Sequence, residues 1–139
     1  MSVASHPRSL ITKGFWLAGA YNVFGMLTFS KLFMNPLLAA VDPAVFSWLG
    51  QVAVVLWGLA YWAVAKTYHH VPALLAVFAF EKLVYVLAWL RWLSDKAQTL
   101  PSIASESPLT AMFFSVYGAG DLVFGLFFAW TAWHVGKAR

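Results

Sequence analysis

Residues 72–93 read PALLAVFAFEKLVYVLAWLRWL. A helix that crosses a membrane needs about 20 apolar residues, each rising about 1.5 Å. This stretch has that length. Its middle holds two adjacent charged residues, Glu81 and Lys82. A charge at the centre of a bilayer costs at least about 2.5–3.5 kcal/mol. Lys82 is too far from either end of its helix for its stem to reach water. Both groups must therefore face inward and meet polar partners on other helices.

Three further stretches offer such helices, at 15–33, 45–65 and 109–133. The composition agrees. Of the 139 residues, 62% are hydrophobic and 10% charged, against about 45–50% and about 25% in soluble domains. Mean hydropathy is +0.74. These values exclude a disordered chain and an ordinary cytosolic enzyme. The net charge is +4, but the basic residues are scattered or flank the apolar runs, so no nucleic-acid partner is expected. There is no cysteine, which excludes disulfides, thiol catalysis and cysteine-based metal centres. The expected fold is all-α: one integral membrane domain over residues 1–139, a four-transmembrane-helix antiparallel up-down bundle.

The ends of the spans carry helix-start chemistry. Asp42-Pro43 and Ser107-Pro108 each place a capping side chain before a proline at the first helical position. Asn35-Pro36 predicts a short extra helix, and Pro72 opens the third span. No proline lies inside a span, which predicts four unbroken helices. The polar stretch 94–107 reads as turns and caps. Trp16, Trp48, Trp62, Trp89, Trp92, Trp130 and Trp133 lie toward span ends, as an interfacial aromatic belt does. The first span is too long for a signal-peptide core and reads as a retained helix. Arg8, Lys13, Lys66, Lys137 and Arg139 fall on one side, and Lys31, Arg91 and Lys96 on the other. The positive-inside rule then puts both termini in the cytoplasm.

The polar residues inside the spans share a depth. Asn22 follows Lys13 by nine residues, Gln51 follows Asp42 by nine, and Glu81 follows Pro72 by nine. Asp121 lies thirteen residues from both Pro108 and His134. Nine residues rise about 14 Å, near half of a 30 Å core. Four helices thus bring a polar group to one level. Adjacent residues on a helix point about 100° apart, so Lys82 is expected to meet Asp121 or another helix rather than Glu81. One of the two carboxyls is expected to carry a proton at neutral pH. Tyr85 shares the Glu81 face, and Tyr117 shares the Asp121 face. The candidate ligand-binding or proton-relay residues are therefore Asn22, Gln51, Glu81, Lys82, Tyr85, Tyr117 and Asp121. Small residues on the same faces, Gly25, Gly58, Gly118 and Gly125, either allow close helix packing or leave room for a ligand.

No phosphate-binding glycine loop, zinc-protease motif or serine-nucleophile elbow occurs. His6, His69, His70 and His134 all lie away from mid-depth, so no metal site is expected. Val23-Phe24-Gly25 and Val123-Phe124-Gly125 form a short internal echo of the kind left by duplicated helices.

Tyr21-Asn22 followed by Phe24-Gly25, Gly58 followed by Tyr61, Lys82, and Asp121 followed by Phe124 together resemble the small bacterial four-helix membrane proteins of the DoxX-like type. The resemblance covers residues 15–133. It implies a multi-pass protein of the bacterial inner membrane, in some members linked to quinone-dependent redox complexes. This chain departs from the expected pattern in lacking cysteine and in placing Glu81 beside the lysine. The resemblance supplies no catalytic residue.

Three functions are open at this stage. The first is binding of membrane lipid, quinone or a similar amphiphile between the helices, with the mid-depth residues at its polar end. The second is a small proton-coupled transporter working as a homodimer. The third is a structural subunit of a larger membrane complex. An intramembrane enzyme using Glu81 as acid or base is chemically conceivable, but no motif names a substrate and enzymatic activity is not the favoured reading. No cofactor is required, although quinone or lipid fits the pattern.

Overall fold

A computed structural model describes residues 2–138, with side chains from Arg8 onward. Arg139 and the side chain of His6 lie outside the described residues. The chain is all-helical, and the described residues contain no strand. Helix α1 spans Ser2–Phe29, α2 Pro36–Val41, α3 Pro43–Phe46, α4 Trp48–Ala63, α5 Pro72–Lys96, α6 Leu100–Glu106 and α7 Pro108–Lys137. Among the described residues, two helical stretches are long and apolar enough to cross a membrane: Pro72–Glu106, which holds α5, a 3-10 turn and α6, and Pro108–Lys137. Helix α4 has 16 residues, about 24 Å of rise against a core of about 30 Å. Helix α1 has 28 residues, but Arg8 and Lys13 interrupt its first half.

The expected caps are present. The Asn35 side chain accepts the Leu37 amide at 3.1 Å, and Ser107 accepts the Thr110 amide at 3.2 Å. Asp42 accepts the Val45 amide at 3.4 Å. Each precedes a proline at the helix start, where the missing N–H would have had no helical partner.

Three boundaries differ from the sequence reading. The first helix stops at Phe29 rather than residue 33, because Lys31, Leu32 and Phe33 adopt left-handed backbone with φ of 52°, 58° and 67°. No glycine eases this turn. Ser30 holds it instead: its carbonyl accepts the Met34 and Asn35 amides, and its hydroxyl accepts the Phe33 amide at 2.9 Å. The second span is not one unbroken helix. It breaks at Ser47, whose extended backbone separates α3 from α4 and whose hydroxyl caps Gly50 at 3.2 Å. Stretch 94–107 is helical rather than a solvated connection, because Leu100 and Ile103 pack into the core beside Trp92 and Phe114.

The longest helices pair as α5 with α7 and α1 with α4, and α1 also touches α7. Two apolar clusters fill the interior. One gathers Phe15, Tyr61, Leu75, Phe78 and Phe128. The other gathers Met26, Leu38, Phe46, Trp92 and Phe114. Along α1, Asn22 falls between Phe15 and Met26. Along α5, Glu81 and Lys82 fall between Phe78 and Trp92. The polar residues thus form a layer between two greasy ends.

Candidate functional site

The layer is organised around Lys82. Its side chain is 1% exposed. Its ammonium donates to Asn22 Oδ1 at 2.7 Å and to Asp121 Oδ1 at 2.8 Å. It also lies 5.3 Å from the ring centres of both Tyr21 and Tyr61. A buried ammonium is tolerable only when its protons find acceptors, and helices α1 and α7 supply them here. Asn22 is fixed in turn, since its Nδ2 donates to the Val54 carbonyl of α4 at 2.9 Å. One amide therefore ties α5 to α4 through α1.

Glycines set these distances. A Cβ at Gly125 would come 3.1 Å from Lys82 Cβ, and one at Gly58 would come 2.8 Å from Asn22 Cβ. Gly118 faces the Trp89 ring and Gly120 the Tyr21 ring, both closer than a Cβ could stand. These four serve close packing. Gly25 differs: a Cβ there would meet nothing within 4 Å.

Gly25 opens instead onto a cavity of about 90 Å³. A water molecule needs about 10–15 Å³ by this measure, so the space suits several waters or the head of a small molecule. Asn22, Glu81, Lys82, Tyr85, Tyr117 and Asp121 all line it, together with Tyr21. Its other walls are apolar, among them Met26, Phe46, Val54 and Phe113. Part-exposed Gly25 and exposed Val116 lie in the lining on α1 and α7. They sit between two contacts of these helices. In one, the Tyr21 hydroxyl donates to the Tyr117 carbonyl. In the other, the Phe29 and Phe113 rings meet at 5.1 Å.

Two buried polar atoms among the lining residues have no protein partner. Glu81 Oε1 accepts the Tyr61 hydroxyl, but Oε2 has no hydrogen-bond partner among the described residues. The Tyr117 hydroxyl has none either. Glu81 is 8% exposed and Tyr117 5%. Buried polar groups are normally paired, and these two unpaired atoms belong to residues that line one cavity.

Gln51 stands apart from this group. Its Nε2 donates to the Phe46 carbonyl at 2.8 Å and closes the break between α3 and α4. Tyr61 and Tyr21 belong to the layer as well, beyond the residues that the sequence pattern singles out. Tyr61 could have been found from its place three residues after Gly58, which puts it on the same face of α4 as Gly58. Tyr21 lies next to Asn22, and adjacency on a helix predicts divergence.

The histidines lie elsewhere. The His69 and His70 rings are 4.0 Å apart, and exposed His134 stacks on Trp130 at 5.0 Å. No group of three potential metal ligands occurs among the described residues. In the same region Tyr68 is buried, which pushes its phenol above the usual value, while Arg8 opposes the shift. Asp121 also borders a second groove of about 400 Å³ between α5 and α7, otherwise walled by residues such as Ala79, Leu83 and Leu126. Comparison of the chain with protein-family models, curated proteins and solved structures finds no match.

Proposed function

We propose that this chain is a four-span protein of the bacterial inner membrane that binds an amphiphile, such as a lipid or quinone, with the polar end of the ligand in the Glu81–Tyr117 cavity. Its surface supports the membrane part of this reading. Phe24 on α1, Leu56 on α4, Phe80 on α5 and Leu126 on α7 are all more than half exposed, while Lys82 and Asp121 are buried. Apolar outside and ionic inside is the arrangement a lipid solvent favours, and water would penalise so much contiguous apolar surface. Helix α4 is short, and tilt or local thinning of the bilayer accommodates such a mismatch at fractions of a kcal/mol per Å. The flanking Lys and Arg residues support an orientation with both termini in the cytoplasm. The resemblance to DoxX-like proteins points the same way.

One observation carries the binding part: two unpartnered polar atoms, Glu81 Oε2 and Tyr117 Oη, belong to residues that line one mostly apolar cavity. Ligand sites have that make-up, apolar walls with a few convergent polar groups. The cavity holds only a head, so the tail of the ligand leaves between α1 and α7 beside Gly25 and Val116, into the surrounding acyl chains. The residues need only bind and orient, and no bond-breaking step is assigned to them.

The test is photolabelling in vesicles with a long-chain alcohol that carries a diazirine in its first few carbons. Adducts on Tyr85, Val116 or Tyr117 that disappear in Gly25→Leu are the expected result. Adducts confined to outward side chains such as Phe80 and Leu126, unchanged in Gly25→Leu, would contradict it.

A further inference from the structure

Given that the cavity binds an amphiphile, its electrostatics define the head that fits. We propose that the site takes an uncharged, hydroxyl-bearing head and rejects both anionic and cationic ones. The inference deepens the binding reading and rests on it.

Lys82 is the one cation lining the cavity among the described residues, and it is already paired. Asn22 and Asp121 take two of its three protons at 2.7 and 2.8 Å, and 1% of its surface is exposed. An anionic head would compete with Asp121 for this ammonium. Displacing Asp121 would leave a buried carboxylate unpaired. The sum of charges is also unfavourable to an anion. Lys82, Asp121 and Glu81 total −1 if all are ionised and 0 if Glu81 carries a proton. In neither state does the layer carry a net positive charge. An ammonium head meets a different obstacle: it brings three protons that need acceptors, and among the described lining residues two buried polar atoms, Glu81 Oε2 and the Tyr117 hydroxyl, are without a partner. The remaining walls are mostly apolar and offer such a head little in exchange for its hydration shell.

The unpartnered atoms give the positive half of the argument. Glu81 Oε2 lacks a partner, and so does the Tyr117 hydroxyl, which both donates and accepts. A hydroxyl has the same dual character. It can donate to an ionised Glu81 or accept from Tyr117, and it can accept from Glu81 if that carboxyl holds a proton. An ester or ether oxygen can only accept, and so satisfies Tyr117 but not an ionised Glu81. Membrane hydroxyls of this kind come from glycerides with a free hydroxyl and from free long-chain alcohols. The chemistry at the head is the same in both.

Competition against the diazirine alcohol in detergent solution tests this. The competitors are hexadecanol, dioleoylglycerol, hexadecyl phosphate and hexadecylamine. Hexadecanol, dioleoylglycerol or both should displace the label at concentrations at least tenfold below those needed for the phosphate or the amine. Which of the first two is stronger separates a free alcohol from a glyceride as the source. Displacement by the phosphate or the amine at the same or lower concentration overturns the proposal, while leaving the binding reading intact. Absence of any cavity labelling to displace is failure of the binding reading itself. Tyr117→Phe, a change that removes one oxygen, should weaken hexadecanol by about fivefold or more; unchanged competition would count against the hydroxyl pairing. Asp121→Asn should narrow the gap between hexadecyl phosphate and hexadecanol, because it releases Lys82. If that variant cannot be purified as a folded species, Tyr117→Phe and the competitor series decide the matter alone.

Discussion

Lys82 is the residue whose neighbours do most to define this molecule. Removing it leaves Asp121 buried with no counter-charge, and removing Asp121 strands the ammonium. Breaking a buried pair from one side costs about 3–5 kcal/mol, whereas replacing both partners by apolar groups is often neutral. Lys82→Met alone should therefore lower stability by several kcal/mol in an SDS-titration unfolding assay, and Lys82→Met with Asp121→Leu should recover most of it. Equal losses in the single and double variants would show that the pair contributes nothing beyond its packing. The pairing of Lys82 with Asp121 could be read in the sequence, because depth along each helix can be counted from its ends. Side-chain partners that depend on helix rotation could not. Tyr61, which donates to Glu81, and the diversion of Gln51 to the Phe46 carbonyl follow from how α4 turns about its axis after the break at Ser47.

At the scale of elements, two glycines make a clean contrast. A Cβ at Gly118 would lie 2.1 Å from the Trp89 ring, while one at Gly25 meets nothing within 4 Å. Gly118→Ala should destabilise by about 1–3 kcal/mol through overpacking. Gly25→Ala should be neutral or stabilising by up to about 1 kcal/mol, since Ala is the better helix former. Thermal unfolding of both variants checks the pair, and a loss at Gly25 as large as that at Gly118 would mean that α1 packs differently there. The turn after α1 offers another test. Lys31 is exposed and holds φ of 52°, where a side chain costs about 1–2 kcal/mol. Lys31→Gly should leave stability unchanged or slightly raised, and Lys31→Val should lower it by at least about 1 kcal/mol. Helix starts were legible because Asn-Pro, Asp-Pro and Ser-Pro have one mechanical meaning. The left-handed turn was not, because it is built from Lys31, Leu32 and Phe33 without glycine. The helical packing of stretch 94–107 was hidden for a related reason: most of its polar residues face out, and only Leu100, Ile103 and Ala104 show that it packs as a helix.

The described residues present apolar faces outward and an ionic layer inward, and the proposed four-span arrangement makes a prediction about sidedness. Because the chain has no native cysteine, single cysteines report sidedness without interference. Cysteines at Lys66 and Lys137 should react with an impermeant maleimide only from the cytoplasmic side. Those at Lys31 and Lys96 should react only from the opposite side. Labelling of all four from one side would rule out the four-span arrangement. Function at this scale reduces to whether something occupies the space beside Gly25. Native mass spectrometry of gently extracted protein, with Gly25→Leu beside it, asks that most directly. A stoichiometric amphiphile adduct on the wild type, absent from a folded Gly25→Leu, is the predicted result. A wild type that flies as a clean apo species, or an adduct that persists unchanged in Gly25→Leu, would contradict the account and leave the Lys82 layer as a staple between helices.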